Sequence, residues 1–249
     1  MHFFGKKIFW LIILIAGVSG AFVSFYLLPS FNTWTFDVVY ANKEVKTLSD
    51  AKNLLEQYPT LGFSELPLQL QKAYHDPKYA IDKIISSSRF YVLPRKDLFK
   101  KIAGNKRLNN LVTKEQQISG IWYFQNGKAY LCINDKLIES LFLLQDKLTI
   151  AGYDSKALVI NSAYRSPGHN KEVKGAPMSQ HLFGKAMDLR IGDINSDRSV
   201  NQVDKQIVYK ILNASVIANR GGLGFYPKTM IVHMDVRGTN ARWDNYKRK

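Results

Sequence analysis

An uncharged run from Ile8 to Leu28, directly behind Lys6-Lys7, constrains this chain more than any other feature. A helix of about 20 apolar residues crosses the hydrocarbon core of a bilayer at about 1.5 Å per residue. The run is long enough to do so, and a buried core helix would not need a lysine pair in front of it. The lysines are expected to stay on the cytoplasmic side, so that everything after Pro29 is exported. Two forms of this reading stand. An uncleaved anchor is favoured because the apolar run continues well past Gly20. A cleaved signal peptide is the alternative, with Val18-Ser19-Gly20 as a loose small-residue site. Both give the same compartment.

The 249 residues suffice for one sizeable domain or two small ones. A formal net charge of +15 suits an anionic partner such as nucleic acid, an acidic membrane surface or an anionic wall polymer. The lysines and arginines are spread along the chain and no nucleic-acid-binding motif is present, so nucleic acid is not expected as a partner. Cys132 is the single cysteine, which excludes an intrachain disulfide and a cysteine-built structural zinc site. Its apolar surroundings, Ala129 to Ile133, predict a small buried residue. Any metal must therefore be held by carboxylates and by the five histidines, His2, His75, His169, His181 and His233.

The sequence divides into an anchor or signal segment (1–30), a region of unknown role (31–114) and a C-terminal domain (115–249). In the middle region, Leu48-Ser49-Asp50 ahead of Ala51–Glu56 predicts a helix capped by Ser49 or Asp50. Phe90–Leu93 before Pro94 predicts a short strand. From Ile118 the character changes. Gly120–Phe124, the turn Gln125-Asn126-Gly127 and Lys128–Ile133 read as a hairpin. Asp135 is expected to cap a helix over about 137–151, where Leu137, Leu141, Leu144 and Leu148 recur at helical spacing. Ala157–Asn161 reads as a buried strand leading into the loop Ser162-Ala163-Tyr164-Arg165-Ser166-Pro167.

Two segments carry the candidate chemistry. In Met230–Val236, strand alternation puts Ile231, His233 and Asp235 on one face and Met230, Val232, Met234 and Val236 on the other. An imidazole and a carboxylate side by side on an apolar strand need partners, because an unsatisfied buried polar group costs on the order of 1–3 kcal/mol. In Ser179–Arg190, Gly184 permits a turn after His181, and Ala186, Asp188 and Arg190 alternate against Met187, Leu189 and Ile191. His181, Asp188 and His233 can thus converge from two strands and a turn. Three N/O ligands leave a fourth position open, as in catalytic zinc sites. Each residue alone has a plainer explanation as a hydrogen-bonded polar group; the combination is what points to Zn2+.

At these residues the chain resembles the zinc D-alanyl-D-alanine carboxypeptidase and murein endopeptidase family (metallopeptidase family fifteen), whose fold is shared with the hedgehog signalling domain. The resemblance runs from Ser162–Ser166 through His169-Asn170, Gly175–His181, Gly184, Ala186 and Asp188. It continues through Gly221–Pro227 and Val232–Asp235 to Arg242-Trp243, covering about residues 115–245. The periplasmic His-x-Asp endopeptidase branch looks nearest. The resemblance implies an α+β fold, a small antiparallel sheet with flanking helices, preceded here by one transmembrane helix and a small N-terminal region. It implies zinc on His181, Asp188 and His233, and Arg165 facing the substrate carbonyl or carboxylate. It implies a bacterial cell-envelope location and peptidoglycan stem peptides or cross-links as substrate, with endopeptidase action favoured over carboxypeptidase action.

One departure matters. Other branches place an acidic general base three residues before the last histidine, where this chain has Met230. Asp235 is the candidate replacement, with orientation of a ligand or pairing with Arg237 or Arg242 as its rival role. His169 reads as a loop residue packed beside Pro167. Ser162, Ser179, Gln180 and Tyr226 are expected to wall the site, and Trp243 to pack under the last strand or line the groove. Gly221–Gly224 reads as a tight turn, since Phe-Tyr-Pro follows where a phosphate loop would have Lys-Ser/Thr. The missing acid also leaves open a non-hydrolytic peptidoglycan-binding module that kept fold and metal.

Overall fold

A computed structural model describes residues 45–75, 85–117 and 127–244. The chain divides into two compact units, Met1–Lys43 and Glu44–Lys249, and all of the described residues fall in the second. The expected membrane segment and the first strand of the expected 120–133 hairpin lie outside the described residues. Among the described residues no helix is long and apolar enough to cross a membrane.

The N-terminal part of this unit opens with helix α1 (Leu48–Glu56), strand β1 (Thr60–Gly62) and helix α2 (Leu68–Tyr74). The cap of α1 is Thr47 rather than Ser49 or Asp50. Its hydroxyl accepts from the Asp50 N–H while the Asp50 carboxylate accepts from the Thr47 N–H, a closed capping box. Strand β2 (Arg89–Pro94) follows, then β3 (Lys101–Ala103) and β4 (Lys106–Arg107). Strand β5 (Lys128–Cys132) pairs antiparallel with β2, completing the sheet β1-β2-β5. A boundary at 114/115 therefore does not separate two compact units: residues on either side of it share one sheet. Cys132 is buried, and burial pushes its thiol up to about 12.

Helix α3 (Asp135–Ile150) buries Leu137, Ile138, Leu141, Phe142, Leu144 and Leu148. Its cap is Asn134, one residue before the expected Asp135, which instead occupies the first turn where its charge favours the helix dipole. Strands β6 (Leu158–Ser162) and β7 (Ala186–Ile191), helix α4 (Pro167–Glu172), helix α5 (Gln202–Ile211) and strands β8 (Gly222–Phe225), β9 (Ile231–Asp235) and β10 (Ala241–Asp244) complete the fold. The second sheet has the order β10-β8-β9-β7-β6. Strand β6 is an edge strand with one face on the core, so Leu158, Ile160 and Ser162 are buried while Val159 and Asn161 on the other face are exposed.

The sheet is antiparallel except at β10, which runs parallel to β8. The reason lies in the connection: β9 ends at Asp235 opposite Gly222, and the chain passes beneath the start of β8 to reach Ala241, also opposite Gly222. Gly238, at φ +92, turns the crossing, and its N–H is held by the Arg220 carbonyl. The apolar face carries Met187, Leu189, Val232, Met234 and Leu223, all fully buried. The opposite face is left for polar groups.

Lys106 is buried with its ammonium donating to the Ser155 carbonyl at 2.9 Å, and burial pushes its pKa down to about 8. A lysine whose folded pKa lies below its unfolded one is a net cost while charged, and that cost fades as pH rises from about 8 to about 10.5. Lys106→Met removes that cost together with the Ser155 hydrogen bond, so we expect its effect on stability to be more favourable at pH 7 than at pH 10 by on the order of 2 kcal/mol. Urea unfolding at pH 7 and pH 10 tests this.

Candidate metal centre

One line across the sheet carries Ser162, Asp188, His233, Gly224 and Trp243, successive partners on β6, β7, β9, β8 and β10. Directly paired residues point to the same face, so the register alone puts Asp188 beside His233. His181 arrives from outside the sheet, on the 3-10 turn Gln180–Phe183. Gly184 ends that turn in the left-handed region at φ +63, and a Cβ there would stand 2.3 Å from the Cys132 carbonyl oxygen. Only glycine meets both demands. The reversal sends the chain into β7, so that His181 sits over Asp188.

The donor atoms form a small triangle. His181 Nε2 is 3.3 Å from Asp188 Oδ1 and 3.3 Å from His233 Nδ1, and His233 Nδ1 is 2.9 Å from Asp188 Oδ1. Tetrahedral zinc with bonds of about 2.0–2.1 Å requires ligand atoms roughly 3.3 Å apart. The triangle is close to one face of that tetrahedron. The tautomers agree. His181 Nδ1 lies 2.6 Å from the Ala163 carbonyl, which only accepts, so the proton of the neutral ring sits there and Nε2 is bare. His233 Nε2 lies 3.1 Å from Asp235 Oδ2, which fixes its proton in the same way and leaves Nδ1 bare. Three lone pairs then face one another among buried residues, an arrangement that a cation at the centre turns from repulsive to favourable.

When the rings are instead protonated on the inner side, the same three groups hold one another by hydrogen bonds and charge. Burial acts to raise the Asp188 carboxyl, but the charges and hydrogen bonds of His181 and His233 hold it well below the usual range. Burial keeps His181 below its ordinary value despite Asp188 beside it. At His233 burial is outweighed by hydrogen bonds to Asp188 and Asp235, and its pKa rises. Metal binding needs both rings neutral on the coordinating side, so such a site takes up metal with release of protons.

Asp235 is fully buried beneath the triangle rather than in the open cleft. Its Oδ1 accepts from the N–H groups of Gly222 (3.0 Å) and Arg237 (3.1 Å) and from Arg237 Nε (2.8 Å). Its Oδ2 accepts from His233 Nε2 (3.1 Å) and Arg237 Nη2 (2.6 Å). Five donors fill the four or so lone-pair sites of a carboxylate. Although burial works to raise it, the hydrogen bonds from His233 and Arg237 push its pKa far below the ordinary value. Of the residues 221–224 that read as a tight turn, Gly222, Leu223 and Gly224 instead begin β8, and the missing side chains of the two glycines make the room. A Cβ on Gly222 would fall 2.1 Å from Asp235 Oδ2, and one on Gly224 would fall 2.6 Å from Trp243 Nε1. We expect Gly222→Ala to displace Asp235 from His233 and weaken zinc binding by about 10–100-fold, the effect typical of losing such an orienting partner. Competition with a chromogenic chelator measures it.

The triangle opens on a cleft of about 1240 Å³. Of the residues expected to wall the site, Ser179, Gln180 and Tyr226 line this cleft and Ser162 does not; Arg165, expected to face the substrate, lines it too. Ser162 is buried and accepts from Arg165 Nε at 2.9 Å, while Arg165 Nη2 donates to Asp188 Oδ2. The guanidinium is thus braced on two sides beside the triangle. Trp243 stands 5.0 Å from the His233 ring and lines the cleft, with Tyr226 joined to it by a 3.4 Å hydrogen bond from the indole N–H. Met230 is not among the cleft residues. His169 is buried on α4, its Nδ1 near Thr113 Oγ1 (3.3 Å) and the Lys114 N–H (3.5 Å), also away from the cleft.

Two supports had no sequence signal. The Ala163 carbonyl that orients His181 is a backbone group, visible only once the loop is folded. Lys205, fully buried on α5, donates to the carbonyls of Tyr226 (2.5 Å) and Thr229 (2.7 Å) under the cleft wall and lies over the Phe225 ring at 4.0 Å. Comparison with family models matches residues 131–235 to the family described as Peptidase M15, a stretch that holds His181, Asp188, His233, Arg165 and Asp235. No curated protein and no solved structure matches the chain.

Proposed function

We propose that this chain is a zinc-dependent peptidase of the bacterial cell envelope that hydrolyses amide bonds of peptidoglycan stem peptides or cross-links. The observation that carries it is the buried His181–Asp188–His233 triangle, with zinc-like spacing and tautomers fixed by Ala163 and Asp235, beside a braced guanidinium in an open cleft. The Peptidase M15 match suggests a metallopeptidase in general terms. Zinc bound to such ligands supplies a Lewis acid that polarises the scissile carbonyl and makes water acidic enough to attack near neutral pH.

The chain's own residues do the rest. Arg165 uses Nε on Ser162 and one Nη2 hydrogen on Asp188, so its remaining N–H groups are directed at the oxyanion that develops on the carbonyl. Asp235 orients His233 and is itself fixed by Arg237, a positioning role rather than proton transfer. Ser179, Gln180 and Tyr226 contact the peptide along the cleft, and Trp243 shields the triangle on the β10 side. Endopeptidase action on cross-links is favoured over removal of a terminal D-alanine, and the apolar segment 8–28 would anchor the enzyme in the inner membrane. Mass spectrometry of muropeptides from purified sacculi, before and after treatment with protein lacking residues 1–30, tests the proposal. New fragments that carry a freed amino group are expected; their absence at full zinc occupancy would count against it.

A second reading is favoured by a specific observation. Met230 stands where other branches carry a base, and every lone pair of Asp235 is taken. A non-hydrolytic module would bind stem peptides in the same cleft. It predicts peptide binding by calorimetry with no cleavage product in the same sample.

A further inference from the structure

Arg165 is bracketed by two residues whose side-chain partners come largely from outside the family match. On one side Tyr164 is fully buried, its N–H donating to the Leu111 carbonyl at 3.0 Å and its hydroxyl 2.7 Å from the Tyr74 hydroxyl. The Tyr74 hydroxyl is also 3.1 Å from the Leu182 carbonyl, which only accepts. Tyr74 therefore donates to Leu182, and Tyr164 donates to Tyr74. On the other side the Ser166 N–H donates to Thr113 Oγ1 at 3.1 Å, and the Ser166 hydroxyl donates to Glu115 Oε1 at 2.6 Å. The Thr113 hydroxyl donates to the other oxygen of that carboxylate. Phe90 packs edge-on against both tyrosine rings, at 6.3 Å from Tyr74 and 6.1 Å from Tyr164. The N–H of Arg165 itself is tied to the His181 carbonyl at 3.1 Å.

We propose that Tyr74 and the segment 111–115 form a clamp that aims Arg165 at the metal centre, with Tyr74 and Glu115 as positioning residues. Tyr74, Leu111, Thr113 and Glu115 all precede the matched residues 131–235. They hold the residues on either side of Arg165 and the residue after His181, so the N-terminal part of the folded unit belongs functionally to the site. A guanidinium on a flexible stem gains most from such bracing, because a displacement of about 1 Å at a reacting group costs up to about 100-fold in rate. The kinetic consequence rests on the peptidase reading; the clamp itself does not.

The test uses the full chain as wild type, Glu115→Gln, Tyr74→Phe, Arg165→Ala and the double variant Glu115→Gln/Arg165→Ala. Hydrogen exchange should quicken at the amides of residues 164–166 in Glu115→Gln and in Tyr74→Phe, with residues 223–225 and 232–234 unchanged and zinc content intact. In the same single variants kcat should fall about tenfold at unchanged KM. In the Arg165→Ala background Glu115→Gln should change kcat by less than about twofold, because a residue acting through Arg165 has nothing further to lose. Unchanged exchange in both variants, or an equal loss in both backgrounds, overturns the clamp. If the wild-type protein cleaves nothing, the peptidase reading fails and the exchange data decide the clamp alone. If Glu115→Gln does not fold, Tyr74→Phe takes its place in the cycle.

Discussion

His181→Ala and His233→Ala are each expected to abolish zinc binding and, on the peptidase reading, hydrolysis with it, while leaving the fold in place. The triangle has three protein donors, so losing one leaves two, and zinc affinity should fall by more than the ~10–100-fold that an orienting partner carries. The fold should survive because the ligands stand on the polar face of the sheet, whereas its packing rests on Met187, Leu189, Val232 and Met234 on the other. Asp188→Ala is a poorer probe. It would remove a ligand and also leave the Arg165 guanidinium without its carboxylate, so a loss of stability would mix with a loss of metal. Zinc measured by atomic absorption after dialysis, with circular dichroism as the control, distinguishes the cases. A His181→Ala protein that retains one zinc per chain would rule out the triangle as the metal site.

On the peptidase reading, Arg165→Ala is expected to lower kcat by about 10²–10³-fold, the usual cost of removing one donor to a developing oxyanion. KM should change little, since the interaction grows as charge gathers on the carbonyl oxygen. Zinc content should stay close to one per chain, because Arg165 touches the far oxygen of Asp188, Oδ2, while Oδ1 faces the histidines. Arg165→Lys should recover only part of the loss. An ammonium is a point charge and cannot hold Ser162 and Asp188 through separate nitrogens while presenting further donors to substrate. Steady-state kinetics on a purified muropeptide, with zinc assayed in the same samples, separate this outcome from a simple loss of metal.

The strands that carry the triangle are legible in the sequence because alternation is a strong signal where one face is apolar. Met187, Leu189, Val232 and Met234 mark the core face, and that fixes where Asp188 and His233 point. Gly184 is legible as a turn. Its second reason, the backbone of Cys132 lying against it, is not, because that contact spans fifty residues of sequence. Gly222 and Gly224 read wrongly as a turn for the same kind of reason. A glycine lacks a side chain in every context, and only the neighbours, Asp235 and Trp243, tell whether the absence serves bending or space. The helix caps at Thr47 and Asn134 each lie a residue or two from their expected places, the usual uncertainty of an element boundary. The involvement of Tyr74 and residues 111–115 is invisible in the sequence, since Tyr74 and Glu115 act by reaching groups about fifty to over a hundred residues away.

That reach leads us to expect a particular order of assembly. The five residues of the transverse row come from five strands between 158 and 244, and the brackets around Arg165 come from residues 74 to 115. Contacts so distant along the chain form late, after loop-closure entropy has been overcome, and topologies of this kind fold slowly. No fragment short of β10 contains the whole row. The three ligands, however, are complete once β9 pairs with β7, so metal capture should await that pairing, and Trp243 on β10 closes the row afterwards. Once formed, the site links occupancy to stability: each tenfold rise in free zinc above its dissociation constant should add about 1.4 kcal/mol to the unfolding free energy.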